Sequence, residues 1–385
     1  MRIIRNNRVT TVNFGTDELS VITNPTTVST TDDSPAVRVV AGNPLVMVNG
    51  EAISGDGNGV ELNGGDRLIV TGTVQGGEAG LAAGRHANTV FNSLNGTIIG
   101  DEVGVRFDTR PGGENLLLNA GNIVTGTANG VIDGAEGSNQ TLRIVNSGTI
   151  GGTTALNAGD DVYVGLARGT ATVEGGAGAD LLVGSLAGDS LAGGDGADRL
   201  FGRFGADAIA DGETGDQSND LLNGGSGNDT LTAGTGIDTL NGGLGDDLLL
   251  GSSPEAPGIA LADGGAGADT FHFTAGISEL YGRSGADTFT LGSGIHRVDT
   301  GGGADTVIIE GPDALTGTAA ITLTGLSRFD TVDISNYAVA NLAALLAQNG
   351  TQAGGNFVLD LTGDGTAVLT FEDMDIGDVA ETLIA

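Results

Sequence analysis

The stretch Gly224-Gly225-Ser226-Gly227-Asn228-Asp229-Thr230-Leu231-Thr232 sets the frame for much of this chain. Glycine stands at its first, second and fourth places, Asp at the sixth and an apolar residue at the eighth. The frame recurs at Gly175–Val183, Gly193–Phe201, Ala233–Asn241, Gly242–Leu250 and Gly264–His272, and Tyr281–Gly285 leads into another copy. Asp180, Asp189, Asp198 and Asp207 are nine apart, as are Asp220, Asp229, Asp238 and Asp247. A four-residue insertion near Glu213–Gln217 separates the two blocks. Asp269, Asp287 and Asp305 follow at steps of 18, with Ser278 and His296 in the intervening slots.

The glycines permit backbone angles that a side chain would forbid, and they let carbonyl oxygens converge. The Asp adds a hard anionic oxygen, which suits Ca²⁺ and its six to eight oxygen ligands. Six residues then make a turn and three a short strand, whose middle apolar residue points inward. Phe271, Leu280, Phe289, Val298 and Val307 continue that inward position. Two units complete a coil of 18 residues, so turns 18 apart stack and a cation fits between them. The spacing predicts two rows of ions in the first part and one row near the end. The expected metal ligands are Asp161, Asp180, Asp189, Asp198, Asp207, Asp220, Asp229, Asp238, Asp247, Asp269, Asp287 and Asp305. A glycine-rich disordered linker has no need of a regular apolar eighth position.

Over residues 156–308 these units resemble the RTX family of calcium-binding nonapeptides. The resemblance implies a parallel β-roll loaded with several Ca²⁺ ions. Two turns depart from the pattern and are expected to bind weakly or not at all. Gly184–Ala192 has Ala187 and Gly188 at its fourth and fifth places, and Gly165–Val173 has Thr170 where Asp belongs.

A second repeat precedes the first. Ile53, Val74, Ile98, Ile123 and Ile150 anchor segments such as Leu94-Asn95-Gly96-Thr97-Ile98-Ile99-Gly100 and Val145-Asn146-Ser147-Gly148-Thr149-Ile150-Gly151. Their spacing predicts one coil of a right-handed parallel β-helix per repeat. Asn at a fixed corner would stack on its counterparts in adjacent coils. Companion strands are expected at Gly59–Leu62, Thr89–Phe91, Gly104–Phe107 and Gly130–Ile132. The Asn-x-Gly-Thr-Ile pattern is similar to autotransporter passenger domains and other bacterial surface β-helices.

The expected fold is therefore all-β, a parallel β-helix followed by a calcium-binding β-roll with a small C-terminal cap containing one helix. The expected divisions are a strand or cap segment at 1–40, the β-helix at 41–155, the β-roll at 156–310, and a cap with a secretion signal at 311–385. The helix is expected at Ala338–Gln348, with strands at Ala320–Leu323, Phe357–Leu361 and Ala367–Phe371. The C-terminal end, Asp378–Ala385, resembles the uncleaved export signal of type I secreted RTX proteins.

Composition points the same way. The 385 residues include 71 glycines but no Cys or Trp, which suits a narrow solenoid core better than a large globular one. The net charge is −34, and all 15 basic residues are Arg. That sign disfavours nucleic-acid partners. It also resists compaction until counter-ions arrive, so metal binding should be coupled to folding. Extracellular calcium modules hold their ions at about 10⁻⁴–10⁻³ M, which leaves them empty in the cytosol. The N-terminus Met1–Arg8 lacks the apolar run of a signal peptide. No stretch has the apolar length of a transmembrane helix.

Catalysis is not expected. A polar cluster of Arg85, His86, Asp101, Glu102, Arg106, Asp108 and Arg110 could do acid–base work on a uronic acid. Aromatic sugar platforms are missing around it, with Phe91 and Phe107 expected in the core, and a solvated coil face explains it. His272 and His296 are expected at the surface. Asp360-Leu361-Thr362-Gly363-Asp364-Gly365 opens like an EF-hand, but Phe371 stands where the closing Glu belongs, so a β-turn is expected. The functional expectation is a secreted structural protein that self-assembles at the bacterial cell surface. A calcium-dependent adhesin or polysaccharide-binding module comes second, and a polysaccharide epimerase or lyase third. The expected partners are copies of itself and surface polysaccharide.

Overall fold

Apolar residues alternate with polar ones at period two in short runs divided by Gly, Asn and Asp, a pattern that makes half-buried strands joined by tight corners. The computed structural model describes residues 2–4, 12–14, 19–22, 26–39, 45–84, 87–107, 114–126, 132–133, 141–212, 217–252, 258–311 and 317–384. They fall into two units, Met1–Leu200 and Phe201–Ala385. Both are parallel β-solenoid, as the sequence implied.

In the first unit the coils have three faces. The first face stacks Arg2–Ile4, Ser20–Ile22, Leu45–Val48, Arg67–Val70, Thr89–Asn92, Asn115–Asn119, Leu142–Asn146, Val162–Gly165 and Leu181–Val183 in parallel. The second runs from Thr27–Thr30 through Glu51–Ser54, Thr73–Gly76, Thr97–Gly100 and Asn122–Thr125 to Thr149–Ile150. The third begins at Val12–Phe14 and continues through Val103–Phe107 to Thr172–Ala177 and Ser190–Asp195. The second face ends at Ile150. The step along the first face then falls from 27 residues, as from Asn119 to Asn146, to 19, as from Asp161 to Asp180. A pair of nonapeptides holds only two strand segments, so the coil loses one side. Strands within the first forty residues are coils of the same ladders.

The second unit has two faces. Leu221–Ser226, Ile237–Leu244, Ile259–Ala266, Ile277–Ser284, Gly294–Asp299 and Ala319–Thr324 stack on one. Ala208–Ala210, Thr230–Thr232, Leu248–Leu250, Thr270–Phe273, Thr288–Leu291, Thr306–Ile309 and Thr331–Asp333 stack on the other. The eighth-position residues point inward as expected, and Leu222, Leu231, Leu240, Leu249, Phe271, Leu280, Phe289, Val298 and Val307 are all fully buried. Phe271 and Phe289 stack with ring centroids 4.5 Å apart. At the C-terminal end Ala367–Phe371 continues the first face in parallel and turns antiparallel with Asn356–Asp360.

Several local expectations change. The inward register of the second face is Val28, Ala52, Val74, Ile98, Ile123 and Ile150, so Ala52 rather than Ile53 faces the core. A one-residue slip moves a strand's side chains to its other face, and Ile53 stands one residue past the inward position that pairs with Val74. The stacked asparagines are Asn92, Asn119 and Asn146, with Asn92 taking the place expected for Asn95. Phe107 is buried, but Phe91 is 40% exposed, because its neighbours Val90 and Asn92 take the inward direction. The expected companion strands belong to different faces, Thr89–Asn92 to the first and Val60–Leu62, Val103–Phe107 and Ile132–Asp133 to the third. Gly130 and Val131 lie outside the described residues.

Helix α1 spans Leu342–Asn349 and starts later than expected, because Ala338 takes a left-handed φ of 50° and Asn341 supplies the cap, accepting from Ala344 N. A second helix, α2 (Ile376–Thr382), was not expected. It is seven residues long and is held by the Asp375 capping box, with Val379 and Thr382 buried. Leu383–Ile384 then joins the second face beside Val332 and Asp333.

Candidate metal centre

The turns leave no room for side chains at their glycines. Gly225 has φ +104° and Gly227 φ +137°, both in the region that favours glycine. A methyl group on Gly227 would lie 1.5 Å from Gly205 O. The ladder on this face also runs into the glycine pair, with Gly225 opposite Gly243, so the irregular part of the turn is shorter than six residues.

All twelve expected aspartates are buried. Each of those whose bonds follow reaches back with Oδ1 to a backbone N–H of the preceding coil. In the first unit Asp161 accepts from Leu142 N at 2.6 Å, Asp180 from Asp161 N at 2.7 Å and Asp198 from Asp180 N at 2.7 Å. In the second unit, Asp229, Asp247, Asp269, Asp287 and Asp305 accept in turn from the N–H groups of Asp207, Asp229, Asp247, Asp269 and Asp287, at 2.8–2.9 Å. Asp238 does the same to Asp220 N on the other face, at 3.1 Å.

The remaining oxygen carries the chemistry. Oδ2 of Asp161, Asp180, Asp229, Asp247, Asp269, Asp287 and Asp305 is buried and accepts no hydrogen bond. Each such oxygen with a first-place glycine lies over it: a methyl on Gly242 would sit 2.4 Å from Asp247 Oδ2 and 2.7 Å from Gly264 O. Gly175 stands in the same relation to Asp180 Oδ2 and Gly193 O. Each slot thus gathers anionic and carbonyl oxygens from two coils. A buried anionic oxygen without a partner is costly, and an all-oxygen set of this kind fits a hard divalent cation such as Ca²⁺.

Burial also pushes up the carboxyls. Asp161, Asp247 and Asp287 rise to about 7, chiefly through desolvation, opposed by their backbone N–H and reinforced by neighbouring carboxylates. Asp180 rises to about 6 for the same leading reason, and Asp229, Asp269 and Asp305 are raised as well. These groups resist ionisation unless a counter-charge enters.

The rows have ends. Asp189 spends both oxygens inside the protein, Oδ1 on Ala171 N and Oδ2 on Ser185 N, in the turn that departs from the pattern. In the second unit Asp330, which sequence reasoning missed, closes the row that runs from Asp229 to Asp305, with Oδ1 on Asp305 N and Oδ2 on Ser327 N. It lies 25 residues beyond Asp305, outside the 18-residue step of the repeat. On the first face of the second unit the row stops at Asp238, and the same position continues as Ala260, Ser278, His296 and Ile321. His296 is therefore buried, not at the surface as expected. Ser278 Oγ lies 2.8 Å from its Nδ1, and burial lowers its pKa to about 4. His272 is exposed, as expected.

Asp211 was also missed, because it stands at the first place of a turn rather than the sixth. It is buried, and one oxygen from each of Asp211, Asp220 and Asp238 lies within 4.8 Å of the others. Burial raises its pKa, and the carboxylates of Asp220 and Asp238 add to the shift.

The polar cluster considered for catalysis is only partly described, since Arg85, His86, Asp108 and Arg110 lie outside the described residues. Asp101 and Glu102 are exposed, and Arg106 pairs with Glu78 at 2.9 Å. In the EF-hand-like segment, Asp360 accepts from Thr362 N, Gly363 N and Gly365 N. Both its oxygens are spent within the loop, which connects two antiparallel strands as a turn.

The family model for the RTX calcium-binding nonapeptide repeat, in four copies, matches residues 174–209, 214–252 and 263–295. No curated protein matches the chain. Among solved structures, the crystal structure of extracellular lipase LipA from Serratia marcescens is 16% identical, with a TM-score of 0.20. The match covers 59% of this chain and 45% of the lipase. A likeness of that size supports no statement about the fold or activity of this chain. Among the described residues no helix is long and apolar enough to cross a membrane. The repeated turns, their buried aspartate ladder and the matched family model agree: residues 174–209, 214–252 and 263–295 are RTX nonapeptide repeats, which bind multiple Ca²⁺ ions.

Proposed function

We propose that this chain is a secreted structural protein that orders around Ca²⁺ outside the cell and then assembles with copies of itself at the bacterial cell surface. Asp161, Asp180, Asp229, Asp247, Asp269, Asp287 and Asp305 hold the ions through Oδ2, and Asp198, Asp207, Asp220 and Asp238 occupy equivalent positions. Asp189 contributes least, because both its oxygens are taken.

One observation carries the assembly reading. Ile237, Ile259, Ile277 and Ile295 stand in register on successive coils and are 55%, 39%, 46% and 58% exposed. Each follows a glycine, so the row projects from a bare backbone. A straight apolar row on a chain of net charge −34 favours contact with another molecule over water. Bound Ca²⁺ lowers the charge that would otherwise keep copies apart.

Electron microscopy of the full chain, taken from chelator into millimolar Ca²⁺, tests this. Wild type is expected to form sheets or fibres, and Ile259→Asp with Ile277→Asp to stay dispersed while still binding calcium. Wild-type particles that remain dispersed at high concentration when fully calcium-loaded overturn self-assembly.

A further inference from the structure

We propose that Asp211, Asp220 and Asp238 form a three-carboxylate cation site that differs in kind from the nonapeptide slots and binds Ca²⁺ more tightly than they do. It extends the calcium reading of the repeats and is independent of self-assembly.

The frame explains how Asp211 arrives there. The first place of the turn is glycine at Gly175, Gly202, Gly224, Gly242, Gly264 and Gly282. A methyl group at each of these would lie 2.2–2.5 Å from Oδ2 of the Asp five residues on. A side chain at the first place therefore points straight into the slot, and in an ordinary turn there is no space for it. At residue 211 the frame carries an Asp, and nine residues rather than five separate it from Asp220.

The geometry fits one ion. Oxygens bound to a single Ca²⁺ at about 2.3–2.6 Å lie no more than about 5 Å apart, and those of Asp211, Asp220 and Asp238 lie within 4.8 Å. The three residues are 2%, 3% and 1% exposed. Independently of that convergence, Asp211 Oδ1 is buried without a hydrogen bond, and so is Thr235 Oγ1 on the facing turn, next to Gly234. An additional carboxylate beside the ion raises the charge that holds it, and calcium sites tune affinity through that count.

Calorimetric titration of the chelated full chain with CaCl₂ tests the site, together with metal counting after desalting. The variants are Asp211→Gly, which restores the residue of the frame, Asp211→Asn, and Asp229→Asn as a control in an ordinary slot. Both Asp211 variants are expected to lose the tightest binding step, by about tenfold or more, and to retain one ion fewer after desalting. Asp229→Asn is expected to keep that step. Equal or tighter first binding in Asp211→Gly, with the ion count unchanged, overturns the proposal and makes Asp211 merely a repelling neighbour. A wild-type chain that takes up no calcium overturns the calcium reading itself, a result distinct from a changed first step.

Discussion

At the scale of single residues, Asp161, Asp180, Asp229, Asp247, Asp269, Asp287 and Asp305 each have two jobs, one for each oxygen. Oδ1 ties one coil to the preceding one, while Oδ2 is buried without a hydrogen bond and faces a slot that suits a cation. The same economy makes the glycines strict. Gly227→Ala would place a methyl 1.5 Å from Gly205 O in a backbone conformation of φ +137°. It should cost about 3 kcal/mol or more, since strain and overpacking act together. Gly169→Ala, with nothing within 4 Å of the added methyl, should be near neutral. Thermal unfolding in saturating Ca²⁺ separates the two, and equal midpoints would contradict the packing described.

At the scale of elements, two buried polar columns run along the first face of the first unit. Asp66, Asn88 and Asn115 occupy one in register: Asn88 Oδ1 accepts from Asp66 N and Asn115 Oδ1 from Asn88 N. Leu142 interrupts it, and Asp161, Asp180 and Asp198 resume it. The β-helix and the first nonapeptide coils thus share one corner, in which neutral Asn satisfies the backbone and Asp does so with an oxygen to spare. The second column is the amide stack. Asn92 Nδ2 donates to Asn119 Oδ1 and Asn119 Nδ2 to Asn146 Oδ1, both at 2.8 Å. Asn119→Ala removes the middle rung and leaves buried groups unsatisfied, at a cost of about 1–3 kcal/mol. A calorimetric scan of the full chain should show a lowered unfolding transition with calcium stoichiometry unchanged. An unaltered scan would mean that the stack contributes no stability.

At the scale of the whole molecule, stability in chelator should depend on pH in the direction opposite to that of a salt-bridged protein. Asp161, Asp180, Asp247 and Asp287 are raised from 3.8 to about 6–7 in the folded state. Their contribution is fully present below about pH 4 and is lost as pH rises through 6–7. His296, lowered from 6.5 to about 4, works the other way as pH falls below 6.5, but it is one group against many. Circular dichroism in chelator should therefore show the β-rolls less stable at pH 7.5 than at pH 5. Millimolar Ca²⁺ should restore them at pH 7.5, by supplying the charge that protons supplied. Spectra and midpoints insensitive to both pH and calcium would remove the coupling between metal and fold.

Periodicity alone carried the roll. A nine-residue repeat places every eighth residue inside and every sixth at a corner, which is why Leu222, Leu231 and Asp229 were legible from the chain. The variable coils of the first unit were legible only in outline, because strand register depends on what stacks above and below. Ala52 displaced Ile53, and Asn92 displaced Asn95, through pairing with neighbours 22–27 residues away. Burial of His296 and arrival of Asp211 beside Asp220 and Asp238 were likewise decided in three dimensions. A residue type states what it can bind, but only the stacking of coils settles which oxygens are left without a hydrogen bond and which of them meet.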